Sequence, residues 1–397
     1  MVSLVERASA VPTAEQLGQT RQRIDAYIQT IASSPDRREG AFPYYLFHEA
    51  NTPVKGTVLM FHGFSAEPHQ MARLADYLFG QGFNVYQATL AGHAYRIPDN
   101  YWPQVDLKPE ILLPLREKVA ADPVLQHYLA NLAAATDGHA PPSPVQMAGL
   151  VARLRQLEPH LLDIVAAIEG DNNPNFDRYF VSSHLNYLSD AQARLAELDA
   201  LPGPVYTVGL SVGGAVALAL GAQNPQRVTK VVAFAPLLEV HDVNRRRYVN
   251  LAGPLDIREV GWDDLQFPLG CFTGANRFGA FVRSRENVVA LRPKPTLIIL
   301  TENEDAADLQ TNQSFARSLE RASIFRRYDN HFCYTFPREA LVPHPMVDPL
   351  EVSQNMSNDY WKPMYQETLR FLTQTDFRGS SLGQIAEVKD LPPVPPI

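Results

Sequence analysis

The stretch from Val205 to Leu220 admits few local structures: an apolar run, Val205-Tyr206-Thr207-Val208, leads into Gly209-Leu210-Ser211-Val212-Gly213, and small residues, Gly214 to Leu220, lead out. That order reads as strand, sharp turn and helix. A serine on such a turn is pushed out of the sheet with its hydroxyl available, and the flanking glycines relieve the crowding. The backbone N–H of Val212 then stands at a helix N-terminus, where it can stabilise negative charge. This is the arrangement in which a serine hydroxyl attacks a carbonyl. With 22 glycines in 397 residues, composition alone expects a Gly-x-Ser-x-Gly pentapeptide ~0.07 times in the chain. The strand before it and the helix after it make an accident rarer still.

Other segments repeat the alternation. Thr57–Phe61 is a short apolar run suited to a buried parallel strand, and it ends in His62-Gly63-Phe64-Ser65. An amphipathic helix is expected over about 67–79, then a strand over 84–88 closed by Leu90-Ala91-Gly92-His93. Lys230–Ala235 and Pro295–Leu300 read as later strands, 308–320 as a helix and 359–373 as the final helix. An N-terminal helix carries Ile24, Ile28 and Ile31 on one face and opens with Thr13 and Gln16 at capping-box spacing. Strands alternating with such helices imply a mostly parallel sheet with helices on both faces.

Between His93 and Ser211 lies far more chain than one crossover helix needs. Residues 97–178 read as a helical insertion, with helices near 109–121, 124–135 and 145–169 and apolar residues such as Leu112, Leu113, Leu115, Leu150 and Leu154. It serves equally as a lid, a structural cap or a dimerisation surface. The expected organisation is therefore an N-terminal helical segment (1–40), a core (41–96 and 179–376), the insertion (97–178) and an extended C-terminal tail (377–397). The segment 237–292 is rich in aromatics, among them Tyr248, Trp262, Phe267, Phe272, Phe278 and Phe281, which either line a pocket or fill a core.

A net charge of −8 argues against nucleic acid as a partner, because no basic surplus exists to neutralise phosphates. Arg245-Arg246-Arg247 is the local exception and reads as a solvated loop. The apolar face of the insertion has no basic companion, which disfavours anionic membrane surfaces. Two cysteines, Cys271 and Cys333, do not make a disulfide framework and are read as free thiols. No signal peptide is evident, and no apolar run reaches the length of about eighteen residues that a membrane span needs. A cytoplasmic protein is expected, and a homo-oligomer stays open.

A serine nucleophile needs a base, usually a histidine oriented by a carboxylate, and in a parallel sheet these stand at the carboxyl ends of later strands. The strand ending at Leu300 runs into Thr301-Glu302-Asn303-Glu304-Asp305. Asp305 is favoured as the acid, with Glu304 second and Glu302 third. Two late histidines compete for the base. His331 follows if the last strand is 324–328, and His344 follows if that strand reaches Thr335 or Phe336; His344 is favoured. The oxyanion donors expected are the N–H groups of Val212 and Phe64, with Gly63 allowing close approach. His62 and His93 are read as loop-shaping residues. No metal or other cofactor is implied, because no His/Cys/Asp cluster has ligand spacing.

Taken together, His62-Gly63-Phe64, Leu90-Ala91-Gly92-His93, Gly209-Leu210-Ser211-Val212-Gly213-Gly214, the acids at 302–305 and a late histidine resemble the α/β-hydrolase superfamily. The nearest branch is that of carboxylesterases and monoacylglycerol-lipase-like enzymes. The resemblance spans about residues 43–93 and 180–375, and the order Ser, acid, His is the family's. It implies an α/β-hydrolase fold and cleavage of a small-molecule carboxylic ester through an acyl-enzyme, with acyl chains of medium length or lipid origin suggested by the apolar insertion. Thioester, amide or C–C hydrolysis on the same triad is the alternative, and a catalytically silent binding protein is the rival of another class. Two features depart from the family. Thr301 stands where a glycine usually ends the strand before the acid, and the insertion precedes the nucleophile, whereas the commonest cap follows it.

Overall fold

A computed structural model describes residues 9–127, 130, 143–171, 173–255, 258–260, 265–321 and 329–384. The chain divides into two compact units, Met1–Arg96 with Tyr187–Leu238 and Val282–Ile397, and Ile97–Asn186 with Glu239–Phe281.

The first unit is built on seven strands: β1 (Tyr44–Leu46), β2 (Thr57–Phe61), β3 (Asn84–Ala88), β4 (Val205–Leu210), β5 (Val228–Phe234), β6 (Thr296–Thr301) and β7 (His331–Phe336). Their spatial order is β1-β3-β2-β4-β5-β6-β7. Only β1 runs antiparallel to its neighbour. Every residue of β2, β3, β4 and β6 is buried. This explains why those strands read as unbroken apolar runs rather than alternating ones: both faces are covered. The fold that the resemblance implies is the one found: an α/β-hydrolase fold, a mostly parallel sheet flanked by helices.

Sheet register decides where chemistry can sit. Phe61 pairs with Gly209, Leu210 with Phe234, Ile299 with Phe234, and Thr301 with Phe336. The loops after β2, β4, β5, β6 and β7 therefore leave one edge of the sheet, the carboxyl edge where open parallel sheets place their sites. One face of the sheet packs Val58, Met60, Val208, Phe234 and Ile299 into a cluster with Leu74, Leu78, Phe371 and Leu372. The helix Val212–Gln223 has 11 of its 12 residues buried, as its apolar, small-residue composition requires of a helix apolar all round. It also approaches β5 closely, since a Cβ added at Gly221 would lie 2.5 Å from Val231 Cγ2.

The first and the last helices of the described residues belong to this unit. The N-terminal helix Ala14–Ala32 begins with the expected capping box: Gln16 N–H donates to Thr13 Oγ1 (3.2 Å) and Thr13 N–H to Gln16 Oε1 (2.9 Å). Ile24 and Ile31 are buried, and the Arg194 guanidinium stacks 3.3 Å over the Tyr27 ring. The final helix, Trp361–Thr373, is capped by the buried Lys230 ammonium, which donates to Phe371 O and Gln374 O, each at 2.5 Å. The stretch after it is not extended at its start. Phe377 and Leu382 join the core, and Leu382–Gln384 form a turn of 3-10 helix, because these apolar side chains bury beside Phe332 and Phe371. Residues 385–397 lie outside the described residues.

The second unit draws on two separated segments. It contains the helices Pro109–Ala121, Pro144–Leu157, Leu161–Glu169, Val243–Ala252 and Leu269–Val282. Two short antiparallel pairs, Val105–Leu107 with Phe180–Ser182 and Arg258–Val260 with Gln266–Pro268, complete it. The single helix expected over 145–169 is two, because Pro159 lacks the N–H a continuous helix would need. The helix expected over 124–135 falls largely outside the described residues, as does Trp262; the Leu150 side chain is also undescribed. Leu115 and Leu154 pack with Leu161, Ile164, Phe176 and Phe180 in this unit's own core, while Leu113 is exposed. Phe267 stacks on Trp102 with ring centroids 5.8 Å apart, and Phe278 is fully buried. The apolar residues on which an acyl-chain preference was based thus have a packing role of their own. The boundary expected at 178 falls instead after Asn186, and the aromatic segment after β5 belongs to the same unit as the insertion.

Candidate active site

At the carboxyl edge of the first unit the chain turns sharply three times. Ser65, Ser211 and Ala235 all have positive φ (58°, 57° and 38°), a conformation that costs a non-glycine residue of order 1–3 kcal/mol and clusters where function demands it. Ser211, with ψ −121°, is the residue between β4 and the helix Val212–Gln223. Its turn is held on both sides: Ser211 N–H donates to Phe234 O and Leu237 N–H donates to Ser211 O, each at 2.9 Å. The N–H of Val212, first residue of that helix, has no intrahelical acceptor.

The glycines around Ser211 are there for space. A Cβ on Gly209 would stand 2.0 Å from Gly213 O, and one on Gly213 would stand 2.3 Å from Phe61 O and 2.4 Å from His62 O. The start of the helix therefore lies directly against the chain leaving β2. Gly63 is less crowded: a Cβ added there would stand 3.6 Å from Ser211 Cβ, an ordinary van der Waals contact. Gly213→Ala must force these backbones apart. It is expected to cost about 3 kcal/mol of stability, read as a lowered denaturant midpoint; an unchanged midpoint would mean the two segments are not in contact.

The acids and histidines fall differently from the first preference in one respect. His344 Nδ1 contacts Glu304 Oε1 at 2.5 Å, and both side chains are almost wholly buried. The acid facing His344 is thus Glu304 and not Asp305. Asp305 Oδ2 instead accepts from Gln354 Nε2 at 2.9 Å and Ser353 Oγ at 3.4 Å. Glu302 is exposed and accepts from the Arg338 N–H at 3.0 Å, bracing the chain after β7. Glu304 is selected by the turn that follows it. Its Oε1 also accepts the backbone N–H groups of Asp305, Ala306 and Ala307 at 3.2, 3.0 and 2.9 Å. Burial alone would raise this carboxyl's pKa, but the imidazole and the N–H donors outweigh it and hold it below the ordinary value. For His344, burial works against the charged form, yet the Glu304 carboxylate, with Asp305 and Glu351 further off, raises its pKa above the usual histidine value.

His331 stands at the other end of the sheet. It opens β7 opposite Thr296, five residues before the carboxyl edge, about 17 Å away along the strand. Its Nε2 faces Arg292 O at 2.8 Å, and burial lowers its pKa to about 4. The last strand is His331–Phe336, and residues 324–328, the other strand considered, lie outside the described residues. His62 is fully buried. Its Nε2 accepts the Leu90 N–H at 3.1 Å, so its Nδ1 carries the proton and donates to Gly63 O at 2.8 Å. Burial drives its pKa to about 3. It joins the loop after β2 to the loop after β3 and has no lone pair free to act as a base. His93, also buried, packs edge-on to Phe64 with ring centroids 5.6 Å apart.

Glu304, Asp305 and His344 each offer one ligand atom within 4.8 Å of the others. The three N–H donors already pointing at Glu304 Oε1 suit an anion facing an imidazole better than a ligand for a cation. Two residues had no signal in the sequence. Gln70 Oε1 accepts the Gly63 N–H at 2.8 Å, and Gln70 Nε2 donates to both oxygens of Glu351 at 3.1 and 3.0 Å. No motif marks either, and they are 281 residues apart.

The chain matches the family described as "Putative esterase" over residues 165–333. No curated protein sequence matches it. Solved structures similar to it include one from the metagenome-derived lipolytic enzymes LipS and LipT, at 14% identity over 84% of this chain and 98% of that one, TM-score 0.48. A soluble variant of monoglyceride lipase from Saccharomyces cerevisiae aligns at 15% identity over 86% of this chain and 98% of that one, TM-score 0.48. Est1E from Butyrivibrio proteoclasticus aligns at 12% identity over 85% and 96%, TM-score 0.45. Among the described residues, no helix is long and apolar enough to cross a membrane.

Proposed function

We propose that this chain is a serine hydrolase of carboxylic esters, with Ser211 as nucleophile, His344 as base and Glu304 as the orienting acid. The observation that carries the reading is the buried His344–Glu304 contact on the same sheet edge as the strained Ser211 turn. The family match over residues 165–333 supports an ester as substrate.

With Nδ1 committed to Glu304, His344 has Nε2 left to take the Ser211 proton as Oγ attacks the ester carbonyl. Charge develops on the carbonyl oxygen, where the Val212 N–H and the Phe64 N–H are the donors proposed to receive it. The imidazolium then gives its proton to the departing alcohol, leaving the acyl group on Ser211 Oγ. Water, deprotonated by the same Nε2, attacks the acyl carbonyl; the acyl–Oγ bond breaks, the imidazolium returns its proton to Ser211 Oγ, and the carboxylic acid leaves. Glu304 stays ionised throughout and stabilises the imidazolium. The chemistry needs no metal. Two free thiols, Cys271 and Cys333, suit a reducing compartment such as the cytoplasm.

The test is covalent. A fluorophosphonate should react once per chain, Oγ displacing fluoride, and the added mass should map to the peptide carrying Ser211. Labelling elsewhere, or none in a folded sample, overturns the assignment. Turnover of p-nitrophenyl esters by the same sample establishes the substrate class; activity confined to thioesters or amides would move the reading to those bonds.

The base must be neutral to act. Because Glu304 raises the His344 pKa, kcat/KM is expected to rise with pH through a midpoint above about 6.5, the ordinary histidine value. Activity is thus present at alkaline pH and lost as pH falls through that midpoint. A midpoint well below 6 in the pH–rate profile would remove His344 from the role.

A further inference from the structure

We propose that Gln70 and Glu351 are positioning residues that clamp the loop carrying Phe64 to the loop carrying His344, so that the oxyanion donor and the base are held in one register. The inference rests on the serine-hydrolase reading above.

The geometry is a continuous chain of contacts. Gln70 lies in the 3-10 turn Pro68–Met71, just after the His62-Gly63-Phe64 loop. Its carbonyl oxygen accepts the Gly63 N–H at 2.8 Å, and its amide nitrogen reaches both carboxylate oxygens of Glu351. A Cβ at Gly63 would be 3.1 Å from Gln70 Oε1 and 3.6 Å from Ser211 Cβ, so the amide group braces the backbone next to the serine. A second tie joins the same two segments: Arg73 Nε donates to Asp348 Oδ1 at 3.0 Å. On the other side, Thr301 Oγ1 donates to Val342 O at 2.6 Å and Asn358 Nδ2 to Met346 O at 2.7 Å, fixing the chain on either side of His344. Glutamine suits the central place because its one planar amide presents an acceptor to a backbone N–H and a donor to a carboxylate.

Glu351 also acts at a distance. The charged and titratable groups facing it are Asp348 and His344, with the Gln70 amide between the loops; those facing His344 are Glu304, Asp305 and Glu351. A carboxylate at Glu351 favours the protonated imidazole. Removing its charge therefore lowers the His344 pKa and moves the acidic limb of the pH–rate profile to lower pH.

Gln70→Ala, Glu351→Ala and Glu351→Gln, made in the full chain, separate positioning from mere folding. Active sites are counted by fluorophosphonate labelling, and kcat is expressed per labelled site. Gln70→Ala and Glu351→Ala are expected to lower kcat about 10–100-fold with KM within about threefold, the cost of a misplacement near 1 Å. Glu351→Gln, which keeps an acceptor for Gln70 Nε2, should recover most of the loss of Glu351→Ala while shifting the acidic limb downward. Wild-type kcat per labelled site in both alanine variants, with only the number of labelled sites reduced, would mean the clamp is structural and overturn the proposal. An unshifted limb in Glu351→Gln would overturn its electrostatic half. Should Gln70→Ala fail to fold, Glu351→Ala carries the same reading from the other loop. Failure of the wild type to label at Ser211 is the separate result that removes the underlying reaction.

Discussion

Ser211→Ala is expected to lower kcat/KM for p-nitrophenyl esters by about 10⁴–10⁶-fold, with the residual rate owed to binding and the oxyanion donors alone. The variant should fold, because the change removes one oxygen and the turn is held by backbone bonds to Phe234 and Leu237 that alanine keeps. His344→Ala should lose a comparable factor. The double variant should be little worse than either, since a nucleophile without its base and a base without its nucleophile are the same broken unit. Losses that multiply would mean that the two side chains act independently, and the mechanism would have to be redrawn. Retained activity in Ser211→Ala would end the serine reading outright.

The second large effect separates neighbouring acids. Glu304→Gln should lower kcat by about 10³–10⁴-fold, because the amide can stabilise neither the imidazolium nor the correct tautomer of His344. The Glu304 turn should survive, since the amide oxygen can still accept from the N–H groups of Ala306 and Ala307. Asp305→Asn should stay within about threefold, as an indirect charge beside solvent is screened. The measurement is steady-state kinetics of both variants on one ester, at a pH above the acidic limb. The reverse ranking would place Asp305 in the role and make the His344–Glu304 contact incidental.

Much of this was legible in the chain. The strand, turn and helix around Ser211 could be read because each is local: β-branched residues into a turn that only glycines make roomy, then small residues that a buried helix tolerates. The glycine at Gly213 was legible for the same reason: a Cβ added there would fall on the chain after Phe61, 2.3 Å from Phe61 O. The preference for His344 over His331 turned on where the last strand ended. That strand spans His331–Phe336, which puts His331 at the amino end and His344 on the loop beyond the carboxyl end.

The choice among Glu302, Glu304 and Asp305 was not legible, because three acids in four residues share composition and context. Which one turns inward depends on the path of the chain after Thr301, set by the Thr301–Val342 bond and the N–H groups of residues 305–307. The extent of the second unit was hidden for a related reason: Trp102 and Phe267 stack on each other, but nothing in either local sequence points to the other.

By itself, then, the sequence determined most elements of the first unit and their order, because periodicity and turn chemistry act over a few residues. It also placed Ser211 on a sharp turn between strand and helix, through a motif whose strain is local. Only the tertiary structure decided which acid faces His344, that Gln70 bridges Gly63 and Glu351, and that segments before β4 and after β5 form one unit. Those facts are contacts between residues distant in the chain, and a contact of that kind is fixed by packing and hydrogen bonding in three dimensions rather than by any pattern along one.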